Sequence, residues 1–402
     1  MIFIFLVVSI LLVVLQTKRE KNIGNMLSFL ILPYILLVFI NNFFMYQYGF
    51  YRIGDDVLLM LTGAFTAFFI GSCIPSANSV YVISESGNND RFYFYNIKKM
   101  VNYLYIIVVF ASAKLIVLLA KGNITSGELG NGVVGHLLLT CYAVVPIVFL
   151  YWTYNKKEWK YLFAVCLVIA MNFATFIKYN FISLIVCIFI FTLMYKKSAT
   201  KKACLLLISI VFVMFVANYI IGFVLSGVID DVQQTFYLNH FWKYCSGSLI
   251  YDNYIFTTGI NVGMSIFEKL ACFIFALPNM FLYGIFGIRI FAYEIMSMLP
   301  VSELGEYSNV TDAIGYMFPS QGGAIEIIGF LLFFIGIGIL FSVIYYRSKR
   351  KKHGFSPFVA NFLTFFCFLS FFGTFYVNSG PWEILVWSII VPYFFRSKAK
   401  KL

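Results

Sequence analysis

Long apolar runs divided by short polar connections dominate the chain. The runs fall at roughly 1–16, 26–44, 57–75, 101–120, 137–154, 161–177, 180–195, 203–224, 324–346, 356–377 and 383–395. A run near twenty residues matches the hydrocarbon thickness of a bilayer. Inside a bilayer it must satisfy its own backbone hydrogen bonds, which a helix does. The pattern therefore predicts an all-α polytopic membrane bundle of about eleven transmembrane helices. The shorter runs need tilt or interfacial aromatics to complete their crossing.

The pattern breaks once, at 225–323, a polar stretch of roughly a hundred residues and too long for an ordinary connection. It divides the chain into an eight-span bundle (1–224), a large loop (225–323) and a three-span segment (324–402). Within the loop, SIFEKLACFIFALPNMFLYGIFG (265–287) is apolar enough to suggest another span. One more crossing there would reverse the side on which the basic segment after 346 lies. Glu268, Lys269 and Pro278 also interrupt it, so it reads as a re-entrant or interface-lying helical pair.

Composition agrees with the bilayer reading. Hydrophobic residues make up 61% of the chain and charged ones only 11%, less than half of the ~25% usual in soluble domains. The net charge of +12 would suggest a nucleic-acid partner if it were spread over one surface. It is instead concentrated in alternate connections: 18–21, 91–99, 156–160, 196–202, 347–352 and 396–401 hold most of the 29 basic residues. The positive-inside rule puts those six segments and the C-terminus in the cytoplasm, and the N-terminus and 225–323 outside. The basic surplus is topological, and no nucleic-acid partner is expected. MIFIFLVVSILLVVLQ has no basic region before it and no small-residue cleavage site, so it reads as a retained first span.

Few motifs carry chemistry. The eight cysteines show no CxxC or Cys/His spacing, so neither a zinc site nor a disulfide framework is indicated. There is no GxSxG, HExxH or P-loop, which leaves hydrolase, metalloprotease and ATP-driven transport readings without support. No metal or cofactor is expected.

Three outer stretches and one intramembrane lysine remain. Lys178 stands at the outer surface between two spans joined by almost nothing. It suits a lipid phosphate as a point charge, and equally a snorkelling interfacial lysine. HFWKYCSGSLIYDNY (240–254) gathers His240, Lys243, Tyr244 and Ser246, groups that fit sugar faces and hydroxyls and also an interfacial amphipathic helix. The stretch from Arg289 through 303–324 carries Glu303, Glu306, Asn309, Thr311, Asp312 and Tyr316. A carboxylate beside a membrane-held substrate can act as general base, although solvated loop carboxylates are commoner. Lys114 lies inside the fourth span, where a charge is costly.

Together these features resemble the Wzy-type oligosaccharide repeat-unit polymerases of O-antigen and capsule assembly. YRIGDDVLLMLTGAFTAFFIGS (51–72) is similar to the family's aromatic-x-Ile-Ser start to an early span. FIKYNFISLIV (176–186) resembles its Ser-Arg element, with Lys178 where arginine is common. SNVTDAIGYMFPSQGGAIEIIGF (308–330) resembles the segment that closes its large outer loop, although Pro319-Ser320-Gln321 replaces the aspartate expected before the glycine pair.

The resemblance implies a GT-C-like glycosyltransferase in the bacterial inner membrane, using undecaprenyl-diphosphate-linked oligosaccharides at its outer face. A flippase and a chain-length regulator would be its protein partners. On that reading Lys178, Arg289 and Lys243 bind diphosphate. Tyr244, Ser246, Asn309, Thr311 and Tyr316 contact sugar. Glu306 or Asp312 is the base, with His240 in reserve. The loop would fold down so that 240–254 and 303–316 wall one cavity above Lys178. The rivals are a lipid-linked oligosaccharide flippase or other transporter, and an O-antigen ligase. Transporters favour internal repeats and midplane polar sites; ligases share the layout.

The topology is testable by cysteine labelling. Lys349→Cys, in a background without the native cysteines, should resist a membrane-impermeant maleimide in intact cells and react after permeabilisation. Labelling in intact cells would overturn the map.

Overall fold

A computed structural model of the protein describes residues 1–75, 95–121, 128–154, 158–175, 178–195, 231–257, 265–291, 297–319, 323–350, 355–373 and 379–396. The first half contributes α1 (Ile2–Glu20), α2 (Met26–Phe43), α3 (Asp55–Cys73), α4 (Ile97–Ala120), α5 (Gly132–Tyr154), α6 (Trp159–Phe173) and α7 (Lys178–Tyr195). Then come α8 (Asp231–Tyr251), α9 (Asn253–Thr257), α10 (Ile266–Phe286), α11 (Ala313–Met317), α12 (Ala324–Arg350), α13 (Ser356–Leu369) and α14 (Ser379–Phe394). Among the described residues the fold is all-α apart from one two-residue ladder, β1 (Leu299–Pro300) with β2 (Tyr307–Ser308), and isolated bridges at Phe50–Ser302 and Tyr95–Arg396.

Among the described residues, six helices are long and apolar enough to cross a membrane: α1, α2, α3, α4, α5 and α12. α6, α7 and α13 are apolar but shorter. The expected span at 203–224 lies outside the described residues.

The segment at 265–287 differs from its expected form. It is one continuous helix, α10, and not a helical pair. Ser265 and Glu268 form a reciprocal capping box at its start, which satisfies two of the orphan N–H groups there. Pro278 lies inside it and removes only one helical hydrogen bond, which apolar helices tolerate. Ile266, Lys269, Cys272, Ala276 and Asn279 form its buried stripe, while Phe267, Ile274, Phe281 and Ile285 are exposed.

The chain forms two compact units. The first comprises Met1–Ser79, Asp230–Val343 and Phe366–Trp382; the second Val80–Ile229, Ile344–Phe365 and Glu383–Leu402. In the second unit, α4 to α7 pack on one another and use hydroxyls to tie neighbours. Tyr103 Oη lies 2.8 Å from Thr140 Oγ1, and Tyr142 Oη donates to Asn180 O at 2.6 Å. Lys114, on α4, reaches the Asn131 carbonyl at 2.6 Å and that of Leu129 at 3.3 Å. A lysine within a span thus finds carbonyl partners in the turn before α5.

In the first unit, α1, α2 and α3 pack together, and Arg19 donates to the Ser72 and Cys73 carbonyls that end α3 and to that of Pro75 just beyond it. α3 and α12 come into backbone contact. A Cβ added at Gly71 would collide with the Ile335 carbonyl, and one at Gly338 with that of Phe68. Small residues permit such approach where no hydrophobic force drives helices together in lipid.

Gly71→Leu and Gly338→Leu should therefore each cost about 1–3 kcal/mol or more. The expected result is a lower melting temperature and less monodisperse protein in detergent. Gly336, on the same helix, faces open space, and Gly336→Leu should be tolerated. Equal behaviour of the three would show that α3 and α12 do not pack this closely.

Candidate functional site

The candidate site lies in the first unit, where the 297–319 segment folds onto α8. α8 presents His240, Lys243, Tyr244 and Gly247 at spacings of three and four, hence on one face. A short hairpin delivers Glu306 to that face. Its strands pair Leu299 with Ser308 and Pro300 with Tyr307. Gly305 turns the chain at φ 81°, a left-handed conformation that costs glycine little. Ser302 Oγ accepts the N–H groups of Leu304 and Glu306, each at 3.2 Å, and Val301 N donates to Glu306 O at 2.8 Å. Gly247 leaves room: a Cβ there would sit 3.3 Å from Lys243 Cγ and 3.7 Å from Ser308 Cβ.

The Glu306 carboxylate is only 7% exposed. Its Oε2 lies 2.9 Å from Lys243 Nζ and 3.9 Å from His240 Nδ1. A carboxylate at such depth needs compensating charge, and the lysine supplies it. The His240 ring meets Tyr244 edge-on at 4.9 Å, and Tyr244 stacks parallel to Phe372 at 6.2 Å. Tyr244 is 41% exposed, so a carboxylate, an imidazole, an ammonium and a phenol ring share one place. A cavity elsewhere in this unit, about 50 Å³ and lined by Leu30, Phe68, Phe273 and Phe341 among others, is apolar and far too small for a sugar.

The other expected site residues are distributed differently. Ser246 is fully buried and bonds back to Trp242 O at 3.1 Å, so its hydroxyl serves its own helix. Thr311 and Tyr316 are also buried, and Tyr316 lies under the Lys269 ammonium at 5.7 Å. Asn309 is half-buried. Arg289 is exposed and sits 4.1 Å over the Tyr283 ring, a contact outside the Glu306 group. Lys178 is the first residue of α7, and its side chain lies outside the described positions.

Asp312 is fully buried. It caps α11, its Oδ1 accepting from Gly315 N. A base must meet the proton it takes, and in this arrangement Asp312 faces the protein interior. Its neighbour is Asp252, also fully buried, at the end of α8. Burial, and then each other's charge in the case of Asp252, hold both carboxyls above the usual carboxylate range.

Two groupings escaped the sequence reading. Asp252 lies in the singled-out 240–254 stretch; an acid inside SLIYDNYIF was the available signal. In the second unit His136 Nδ1 lies 2.8 and 2.9 Å from the two Glu383 oxygens, and Trp387 Nε1 donates to Glu383 Oε1 at 3.0 Å. An acid at the start of an apolar run was the sign there.

Comparison with known proteins returns no counterpart: no family model, no curated protein and no solved structure matches this chain.

The ion pair makes a prediction about stability. Glu306→Ala leaves Lys243 facing a half-buried void, and should cost about 1–3 kcal/mol, below the 3–5 typical of a fully buried pair because Lys243 keeps some solvent. Lys243→Met alone strands the carboxylate and should also destabilise, and Lys243→Met combined with Glu306→Ala should recover most of the loss. Thermal unfolding of the four proteins checks this; additive losses would mean that the two side chains do not interact.

Proposed function

We propose that the chain is a Wzy-type polymerase of lipid-linked oligosaccharide repeat units, a GT-C-like membrane glycosyltransferase of about eleven spans in the bacterial inner membrane. The observation that carries this reading is the Glu306 carboxylate held between Lys243 and His240, beside the exposed ring of Tyr244. The positive-inside assignment puts this group on the outer side, where lipid-linked repeats present their sugars.

The acceptor hydroxyl attacks the anomeric carbon of the growing glycan. The bond from that carbon to the diphosphate oxygen breaks, undecaprenyl diphosphate departs, and the hydroxyl proton passes to a base. His240 takes that part better than Glu306, which Lys243 already engages. Glu306, 3.9 Å from Nδ1 and so beyond hydrogen-bond reach, then stabilises the imidazolium by its charge. Tyr244 offers its face to the sugar. Lys178 and Arg289 remain the diphosphate contacts on the strength of the resemblance, each a charge-assisted interaction.

Single-turnover polymerisation with purified protein and lipid-linked repeats tests the reading. His240→Ala should slow the chemical step by roughly 10²–10⁴-fold, the usual worth of a positioned base. Lys178→Ala should cost about one to two factors of ten, and Lys178→Arg should retain function. Movement of the lipid-linked oligosaccharide across a bilayer without a new glycosidic bond would make the chain a transporter. Transfer to a lipid core acceptor alone would make it a ligase.

A further inference from the structure

A second polar centre lies beneath the surface of the first unit and belongs to no step above. Asp252 and Asp312 are both fully buried. The Asp252 carboxyl rests on Gly315: a Cβ there would lie 2.5 Å from its Cγ and from its Oδ1. That leaves no room for a larger residue or an intervening water.

The two acids have unequal surroundings. Asp312 Oδ1 accepts from Gly315 N at the start of α11, and the Tyr34 hydroxyl of α2 lies against the same carboxylate. Tyr34 is itself fully buried, and its oxygen has no hydrogen-bond partner of ordinary geometry. Neither Asp252 oxygen has a donor in ordinary hydrogen-bond geometry; the Asp312 backbone N–H is the one group that favours its charge, and burial and the Asp312 carboxylate outweigh it. The groups acting on it are Asp312 from α11 and the neighbouring Tyr251 on α8. Tyr34 acts from α2, and Ser370 is a neutral hydroxyl that donates to Cys367 O. None of these is a cation. Lys269 of α10 has its ammonium on Phe318 O at 2.8 Å. An ionised Asp252 would face an anion with only the Asp312 backbone N–H to offset it, in a fully buried place.

We propose that Asp252 is a proton-binding site: it stays protonated at neutral pH, donates to the Asp312 carboxylate, and so fastens α11 to the end of α8. The donors then balance. Asp312, at a helix N-terminus that favours negative charge, keeps the charge. Asp252 turns from a second anion into the donor that closes the network. The pair behaves as two carboxyls sharing one proton. Because α11 follows the hairpin that carries Glu306, the bond also anchors that hairpin. The inference is independent of the glycan reading and survives its failure.

The sign of the pH effect follows. Asp252 binds its proton more tightly folded than unfolded. Its contribution to stability is present below the ordinary carboxylate range and is lost as pH rises toward its folded pKa, levelling off beyond it.

Infrared spectroscopy of the full chain in detergent, labelled with 13C-aspartate, tests the site directly. At pH 7.5 the wild type should show the carbonyl stretch of a protonated, label-shifted aspartic acid. Asp252→Asn should lack that band. Its thermal midpoint should vary less with pH than the wild type's, since the amide still donates to Asp312 and cannot ionise. If the variant fails to fold, the wild-type spectrum alone decides. No protonated aspartate at pH 7.5 overturns the proposal. So does a midpoint that rises on replacing choline with sodium while the band is absent, for the pair would then hold a cation and no proton.

Discussion

The docking of α8 on the apolar helices of the first unit is the contact on which the rest of that unit depends. Trp242 buries its ring and donates Nε1–H to Asn41 Oδ1 of α2 at 2.9 Å. Just beyond α8, at the first residue of α9, Asn253 Oδ1 accepts from Gly54 N and its Nδ2 donates to Arg52 O, both at 2.7 Å. Ser248 Oγ donates to Phe371 O. The helix is pinned at two points along its length and at the start of the next helix, each contact joining residues far apart in sequence. Those bonds answer a strict need. A polar helix laid on apolar neighbours must find partners for its inward polar groups, because each one left unsatisfied costs about 1–3 kcal/mol.

Once α8 is fixed, its remaining face is fixed too, and everything the hairpin meets follows from it. His240, Lys243, Tyr244 and Gly247 project on that face because helical spacing puts them there. Gly247 lets Ser308 approach, and Gly305 turns the chain so that Glu306 arrives opposite Lys243. Two glycines thus do different jobs: one yields space, the other supplies a backbone angle.

Much of this was legible in the sequence, for a physical reason. Apolar runs report contact with lipid or core, so α1 to α7 and α12 begin and end within a few residues of the runs that announced them. The apolar 265–287 stretch had to dock, which is why 240–254 and 303–316 were expected to meet. The Glu306 contacts with Lys243 and His240 show that meeting. What periodicity does not report is pairing across long sequence distance. The 299–308 hairpin is too short to show alternation. The continuity of α10 through Pro278 depends on packing that no local signal carries. Ser246 was chosen for its hydroxyl, but its rotamer turns that hydroxyl back to Trp242 O. Asp312 was expected to meet a substrate as its base, and capping α11 draws it inward.

Glu306 and Asp312, six residues apart in one segment, solve the same electrostatic problem in two ways. Each is a carboxyl drawn out of water by the docking of the 297–319 segment, and a lone buried carboxylate is too costly to keep. Glu306 stays near the surface and recruits Lys243, a solution that leaves charge in place and keeps an imidazole within reach. Asp312 lies deeper, where helix N–H groups and a second acid surround it. There a proton replaces the missing cation. The difference follows from depth. At the surface of the fold a long, hydrated ammonium can still reach an anion while keeping some water. In the interior the same ammonium would bring its own desolvation cost, and a shared proton adds none. A charged pair suits a place where a ligand must be met. A proton-closed pair suits one where two elements must simply be held together.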